Sequence, residues 1–185
     1  PEAASATRSP GAAGKLVNFA VFQAVRFACV DGAAKGTPWA GPAAAALLLP
    51  INLWFSPSPR TELRLWALAG LIGLVLDTGL RTAGWVGFPA AQPTTASVLL
   101  APVWIVTLWV AFGSLLNSSL GWLTGRARLT VLLSAIGGPF SFWSGTRIGA
   151  TSVPVGWMGY LALSIEYSVV VPLLMHASRT MFGRA

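Results

Sequence analysis

Six apolar stretches divide the chain, at about 16–34, 38–56, 63–84, 98–123, 129–151 and 155–178. Each approaches or meets the ~20 mostly apolar residues that an α-helix needs to cross a bilayer. Turn-forming breaks separate them: KGTP at 35–38, SPSPRTE at 56–62, GFPAAQPTTAS at 87–97, TGRAR at 124–128 and SVP at 152–154. The pattern predicts an all-α polytopic membrane protein, a six-helix transmembrane bundle filling residues 16–178. Residues 1–15, rich in Ala, Gly, Ser and Pro, read as a disordered N-terminal tail, and 179–185 as a short C-terminal one. A signal peptide ending near Ala34 would need an unbroken apolar region, and Arg26 breaks it. No tract repeats at a fixed period.

Composition agrees. Of the 185 residues, 55% are hydrophobic and 9% charged, against about 25% charged in soluble domains; such a chain cannot cover a globule with polar surface. A net charge of +7 would suit nucleic acid only if the basic residues formed a stripe on a folded surface. Here they gather in linkers and at segment ends, which suits anionic lipid headgroups instead. The expected partners are therefore membrane lipids, with a homo-oligomer or a membrane protein as further candidates and no nucleic acid. The single cysteine, Cys29, excludes an internal disulfide and is expected to pack as a small hydrophobe.

Six crossings place both termini on one side. That side holds Arg8, Lys15, Arg60, Arg64, Arg126, Arg128, Arg179 and Arg184, against Lys35, Arg81 and Arg147 on the other. Basic loops stay cytoplasmic, so both termini are expected in the cytoplasm and the protein in a bacterial inner membrane. Trp54, Trp66 and Trp122 fall at inner ends and Trp39, Trp85, Trp104 and Trp157 at or near outer ends, as two interfacial belts.

A rise of about 1.5 Å per residue then gives each charge a depth. Asp31, Asp77, Arg81 and Arg147 fall in the outer third or at its boundary, with Asp77 and Arg81 one turn apart on a shared face. Together they are candidates for a ligand-binding cluster taking a lipid headgroup or an anionic solute. A structural network that keeps four helices in register is the alternative. Arg26 and Glu166 fall near mid-membrane on the first and sixth helices and are candidates for a buried ion pair, since either left alone would be strongly destabilising.

In the fifth segment, Gly137, Ser141, Gly145 and Gly149 recur every fourth residue, a ridge that lets another helix approach closely. Pro139 is expected to kink that helix and free a carbonyl one turn earlier, with Ser134 or Ser141 to satisfy it. Asn117, Ser118 and Ser119 are candidates for interhelical hydrogen bonds or caps. Catalytic constellations do not assemble. Ser144 and His176, the sole His, lie at opposite depths, Asp31 and Asp77 are isolated, and one His with one distant Cys offers no metal site. No catalytic residue and no cofactor are therefore expected.

The pieces NFAVFQ (18–23), GAA (32–34), LDTGL around Asp77, APVWIVTLW from Ala101, LLNSSLGWL from Leu115 and GGPFSFWSGTRIGA from Gly137 occur in this order. In them the chain resembles the bacterial integral membrane proteins catalogued as domain of unknown function 2878. That resemblance implies a six-helix membrane protein and brings no activity with it. Three classes of function stay open: a protein that binds or carries a lipid or small anionic solute, a non-catalytic accessory or scaffold subunit of a lipid-modifying or envelope complex, and a membrane-embedded lipid-modifying enzyme.

Overall fold

The computed structural model describes residues 11–89 and 100–183. Six α-helices account for most of them: α1 (Ala12–Ala34), α2 (Ala40–Trp54), α3 (Pro59–Thr82), α4 (Val103–Leu116), α5 (Ala127–Arg147) and α6 (Trp157–Met181). No strand forms among the described residues. One isolated bridge between Gly87 and Ser152 ties the α3–α4 loop to the α5–α6 loop.

Every expected apolar stretch becomes a helix, but not every one becomes a span. Among the described residues only α1, α3 and α6 are long and apolar enough to cross a membrane; this corrects the expectation of six. At 15 and 14 residues, α2 and α4 extend only about 21–22 Å, short of a hydrocarbon core of about 30 Å. The stretch 98–123 loses its end because Asn117, Ser118 and Ser119 prefer turns. There α4 stops at Leu116, and the chain continues through turns into a 3₁₀ segment, Gly121–Leu123. Thr130, Ser134, Ser141, Ser144 and the glycines dilute α5.

Tail boundaries shift too. α1 already includes residues 12–15 and α6 runs to Met181, while residues 1–10 and 184–185 of the expected tails, and 90–99 of the third linker, lie outside the described residues.

Local chemistry sets the helix ends. Ser58 stands at the N-cap of α3 with non-helical backbone, Pro59 follows at its first position, and the Ser58 and Thr61 hydroxyls lie 2.8 Å apart. α5 ends at Arg147, and just past its C-cap Gly149 takes a φ of +82°, in the left-handed region that glycine tolerates. The Ala150 amide then bonds back to the Gly145 carbonyl at 3.0 Å. Gly149 is thus a helix terminator rather than the last member of a packing ridge.

Helices pack as α1 with α2 and α4, α3 with α4, and α5 with α6. The start of α1 lies beside the end of α4, and so do the end of α2 and the start of α3; this is the near end of the bundle, and the opposite one is the far end. Glycines set the closest approaches: Gly41 lies against Cys29, Gly73 against the Trp109 ring and Gly138 against the Tyr167 ring, each with no room for a methyl group. Cys29 is fully buried as a small apolar residue. Along α5 the close approach of α6, through the Tyr167 ring, falls on Gly138 rather than Gly137, which meets open space. The carbonyl released by Pro139 is that of Ala135, and it accepts a 2.8 Å bond from Ser164 of α6. Ser134 bonds within its own turn instead.

Candidate functional site

Between the α5–α6 pair and the α1–α4 face lies a cavity of about 300 Å³. It follows α5 from Thr130 to Gly145, about 22 Å of helix. Gly137 and Ser141, two of the expected ridge residues, leave this volume open because they carry almost no side chain. Phe22, Ile105, Leu108, Phe112 and Phe142 supply apolar wall, and Arg26 is the one charged residue on the lining. Its guanidinium sits 5.5 Å from the centre of the Phe27 ring. A wider groove of about 590 Å³ between α2, α3 and α4 has no charged residue on its wall.

Trp109 and Tyr167 close one side of the cavity, with ring centres 5.2 Å apart. Behind them is Asp77, with no exposed surface. The Trp109 indole donates to Asp77 Oδ2 at 2.7 Å, while Asp77 Oδ1 is buried and has no hydrogen-bond partner among the described residues. Glu166, beside Tyr167 on α6, also buries one oxygen without a partner among the described residues. Buried polar groups normally find partners, and leaving one unsatisfied costs about 1–3 kcal/mol. Two such carboxyl oxygens behind one wall mark it as the candidate site.

The expected outer cluster does not form. Asp31 is exposed and pairs with Lys35 at 2.8 Å. Arg81 donates to the Leu100 carbonyl at 2.6 Å and lies 5.8 Å from the Phe88 ring centre. Arg147 is exposed, 5.0 Å from the Trp143 ring centre. Each arginine thus satisfies itself on a nearby carbonyl or ring, and Asp77 turns inward to Trp109. Nor are Arg26 and Glu166 brought together: the Arg26 guanidinium lies over the Phe27 ring, and one Glu166 oxygen is buried without a partner among the described residues. Arg26 lines the cavity, and Glu166 lies beside Tyr167.

A second polar group occupies the near end. Asn18 donates to the Ser114 carbonyl at 3.0 Å, Asn52 to the Ser114 hydroxyl at 3.3 Å, and Asn117 to Glu62 at 2.8 Å. Ser119 donates to Asn18 Oδ1 at 2.6 Å. Asn117 and Ser119 therefore make the expected interhelical bonds. Sequence reasoning passed over Glu62 and Asn52. The signal for Glu62 was its position one turn before Trp66, whose indole bonds to it at 3.2 Å.

A family model described as "Protein of unknown function (DUF2878)" matches residues 15–173. No curated protein and no solved structure matches the chain.

Proposed function

The chain belongs to the DUF2878 family, whose description names no activity, and we propose its function from the cavity: it is a membrane protein that takes up the hydrocarbon chain of a single-chain anionic amphiphile. The observation that carries this reading is an elongated apolar cavity with one basic residue, Arg26, on its wall. At about 300 Å³ it stands at the lower end of small-molecule sites, which are mostly apolar with few polar groups to orient the ligand. A guanidinium suits a carboxylate or phosphate because its planar fork donates two parallel bonds. On this reading the near end faces the cytoplasm, in keeping with the basic residues in its loops.

Binding of a spin-labelled fatty acid to the purified protein tests the proposal. Gly137 lines the cavity and a Cβ there meets open space, so Gly137→Leu should narrow it. It should weaken binding at least tenfold with the melting temperature kept. Arg26→Gln should weaken binding of the acid more than that of its methyl ester. Unchanged binding in Gly137→Leu would refute the assignment.

A further inference from the structure

Both ends of the short helix α2 are marked. Trp39 and Trp54 stand there, 68% and 88% exposed, with polar chain close beyond each: Lys35 and Thr37 on one side, Ser56 and Arg60 on the other. Indoles so exposed settle at a membrane–water interface, ring inward and N–H toward water. At about 1.5 Å per residue the two are about 22 Å apart along the helix. On α3, Arg64 and Arg81 are about 26 Å apart, and Asp77 between them is buried. The α5–α6 side carries a longer apolar band: Trp157 and Arg179 of α6 are separated by about 33 Å, and Arg128 and Arg147 of α5 by about 28 Å.

A short helix can meet both interfaces by sliding or by extending its end residues, and neither is open to α2. Gly41 lies against Cys29 of α1 with no room for a methyl group, and toward the other end Asn52 and Asn18 both donate to Ser114 of α4. α2 is thereby pinned beside α1 at two levels. Arg81, which could reach outward, is held on the Leu100 carbonyl at 2.6 Å, and an indole has no long stem to extend. A hydrocarbon core of about 30 Å therefore exceeds the band on α2 by about 8 Å and matches the band on the α5–α6 side. A band that is too short is met by a thinner bilayer or by association with another protein.

We propose that the α2 side is a lipid-facing surface that thins the bilayer beside it and gathers phospholipids of short hydrocarbon chain, while the α5–α6 side takes lipids of ordinary length. This rests on insertion of the chain in a membrane and is independent of what the cavity binds. Lipid fits this face better than a second copy because of the order of its side chains. Between the two indoles only apolar residues are exposed, Leu47 and Ile51 the largest of them, so the amphipathic groups lie at the edges. Anchors of a protein interface gather at its centre instead.

A bimane fluorophore on Leu47→Cys of α2 or on Val169→Cys of α6 reports the lipid beside each helix. Both native side chains are exposed near the middle of their bands, and the native Cys29 is buried. The full chain is reconstituted in equal parts of dimyristoleoyl and dioleoyl phosphatidylcholine, one of the two brominated. With bromine on the short chains, quenching at position 47 should exceed that at position 169 about twofold, and the order should reverse with bromine on the long chains. Replacing both anchors, Trp39→Leu with Trp54→Leu, should bring the ratio toward one. Equal quenching at the two positions in the wild-type background would overturn the proposal, as would a ratio unchanged by loss of the anchors. A label at position 47 that neither lipid quenches would also overturn it, because a second copy would then cover the face.

Discussion

Helix α3 carries two buried carboxylates, and their surroundings are opposite. Glu62, in the first turn, accepts from Ser56, Trp66 and Asn117 at 3.3, 3.2 and 2.8 Å. Asp77, about 22 Å further along the helix, accepts among the described residues from Trp109 alone, and its other oxygen has no partner there. Both meet a tryptophan indole, so aromatic neighbours are not what separates them. The difference lies in what else each interface supplies. Glu62 enters where α2 ends and α4 breaks, a place rich in turn-forming Asn and Ser. Asp77 enters the middle of an apolar helix sandwich in which Gly73 admits the Trp109 ring and no further donor reaches it. A charge with its bonds made is a fastener, whereas a charge with a bond missing behind a cavity wall is a reserve of free energy that function can draw on.

Replacement at the fastener should have the largest effect. Glu62→Ala removes the carboxylate that accepts from the Trp66 indole and the Asn117 amide in a buried interface. At about 1–3 kcal/mol for each unsatisfied donor, the variant should lose about 2–6 kcal/mol, read as urea or thermal unfolding in detergent. A loss under about 1 kcal/mol would mean that water replaces the carboxylate and that the two acids are not so different.

Next comes the packing that isolates Asp77. Gly73→Ala puts a methyl group where the Trp109 ring lies, so the ring must shift and its bond to Asp77 must lengthen or break. Overpacking of this kind costs typically 1–3 kcal/mol. The tryptophan emission should change with it, and the same stability with an unaltered spectrum would show that the α3–α4 interface is loose.

A smaller effect is expected at the Pro139 kink position. Ser164→Ala removes the bond to the Ala135 carbonyl, and interhelical bonds of this sort in membrane proteins average about 0.6 kcal/mol with a maximum near 1.7. Hydrogen exchange in α5 and α6 should rise locally. A loss above about 2 kcal/mol would show that the proline leaves α5 dependent on this one bond.

Much of this was legible in the sequence, and the limits have physical causes. Apolar runs and turn-rich breaks located all six helices, because backbone hydrogen bonding and hydrophobic length act locally. Span number was misread because NSS at 117–119 sits inside an apolar run, yet its side chains compete for backbone groups and end α4 early. Depth along a helix was used to group Asp31, Asp77, Arg81 and Arg147, but depth says nothing of azimuth. One step of 100° around an axis separates a cavity from lipid. Azimuth is set by tertiary packing, here by Gly73 and Gly138, and the spacing rule singled out Gly137 one residue away. Asn52 was invisible for a related reason: its partner Ser114 comes from another helix, whereas Glu62 left one local trace, Trp66 a turn later, and only its bond from Asn117 depends on another element.

The smallest effect is the most discriminating. Exchanging an acid for its amide adds two hydrogens and removes one acceptor. At Glu62 both oxygens already accept, so the new NH₂ of Glu62→Gln must face either the Trp66 indole or the Asn117 amide, donor against donor, at a cost of about 1–3 kcal/mol. At Asp77 one oxygen accepts from Trp109 and the other meets nothing, so the amide of Asp77→Asn can keep its oxygen on Trp109 and place its NH₂ where no donor opposes it. Removing the charge also removes its desolvation cost. Stability should therefore stay within about 1 kcal/mol of wild type or rise, even as the site behind the cavity loses its only fully buried acid. Unfolding of both amide variants, measured side by side, tests the asymmetry. If Asp77→Asn proves as destabilised as Glu62→Gln, then Asp77 Oδ1 has a donor in the membrane, and α3 carries two fasteners rather than one fastener and one site.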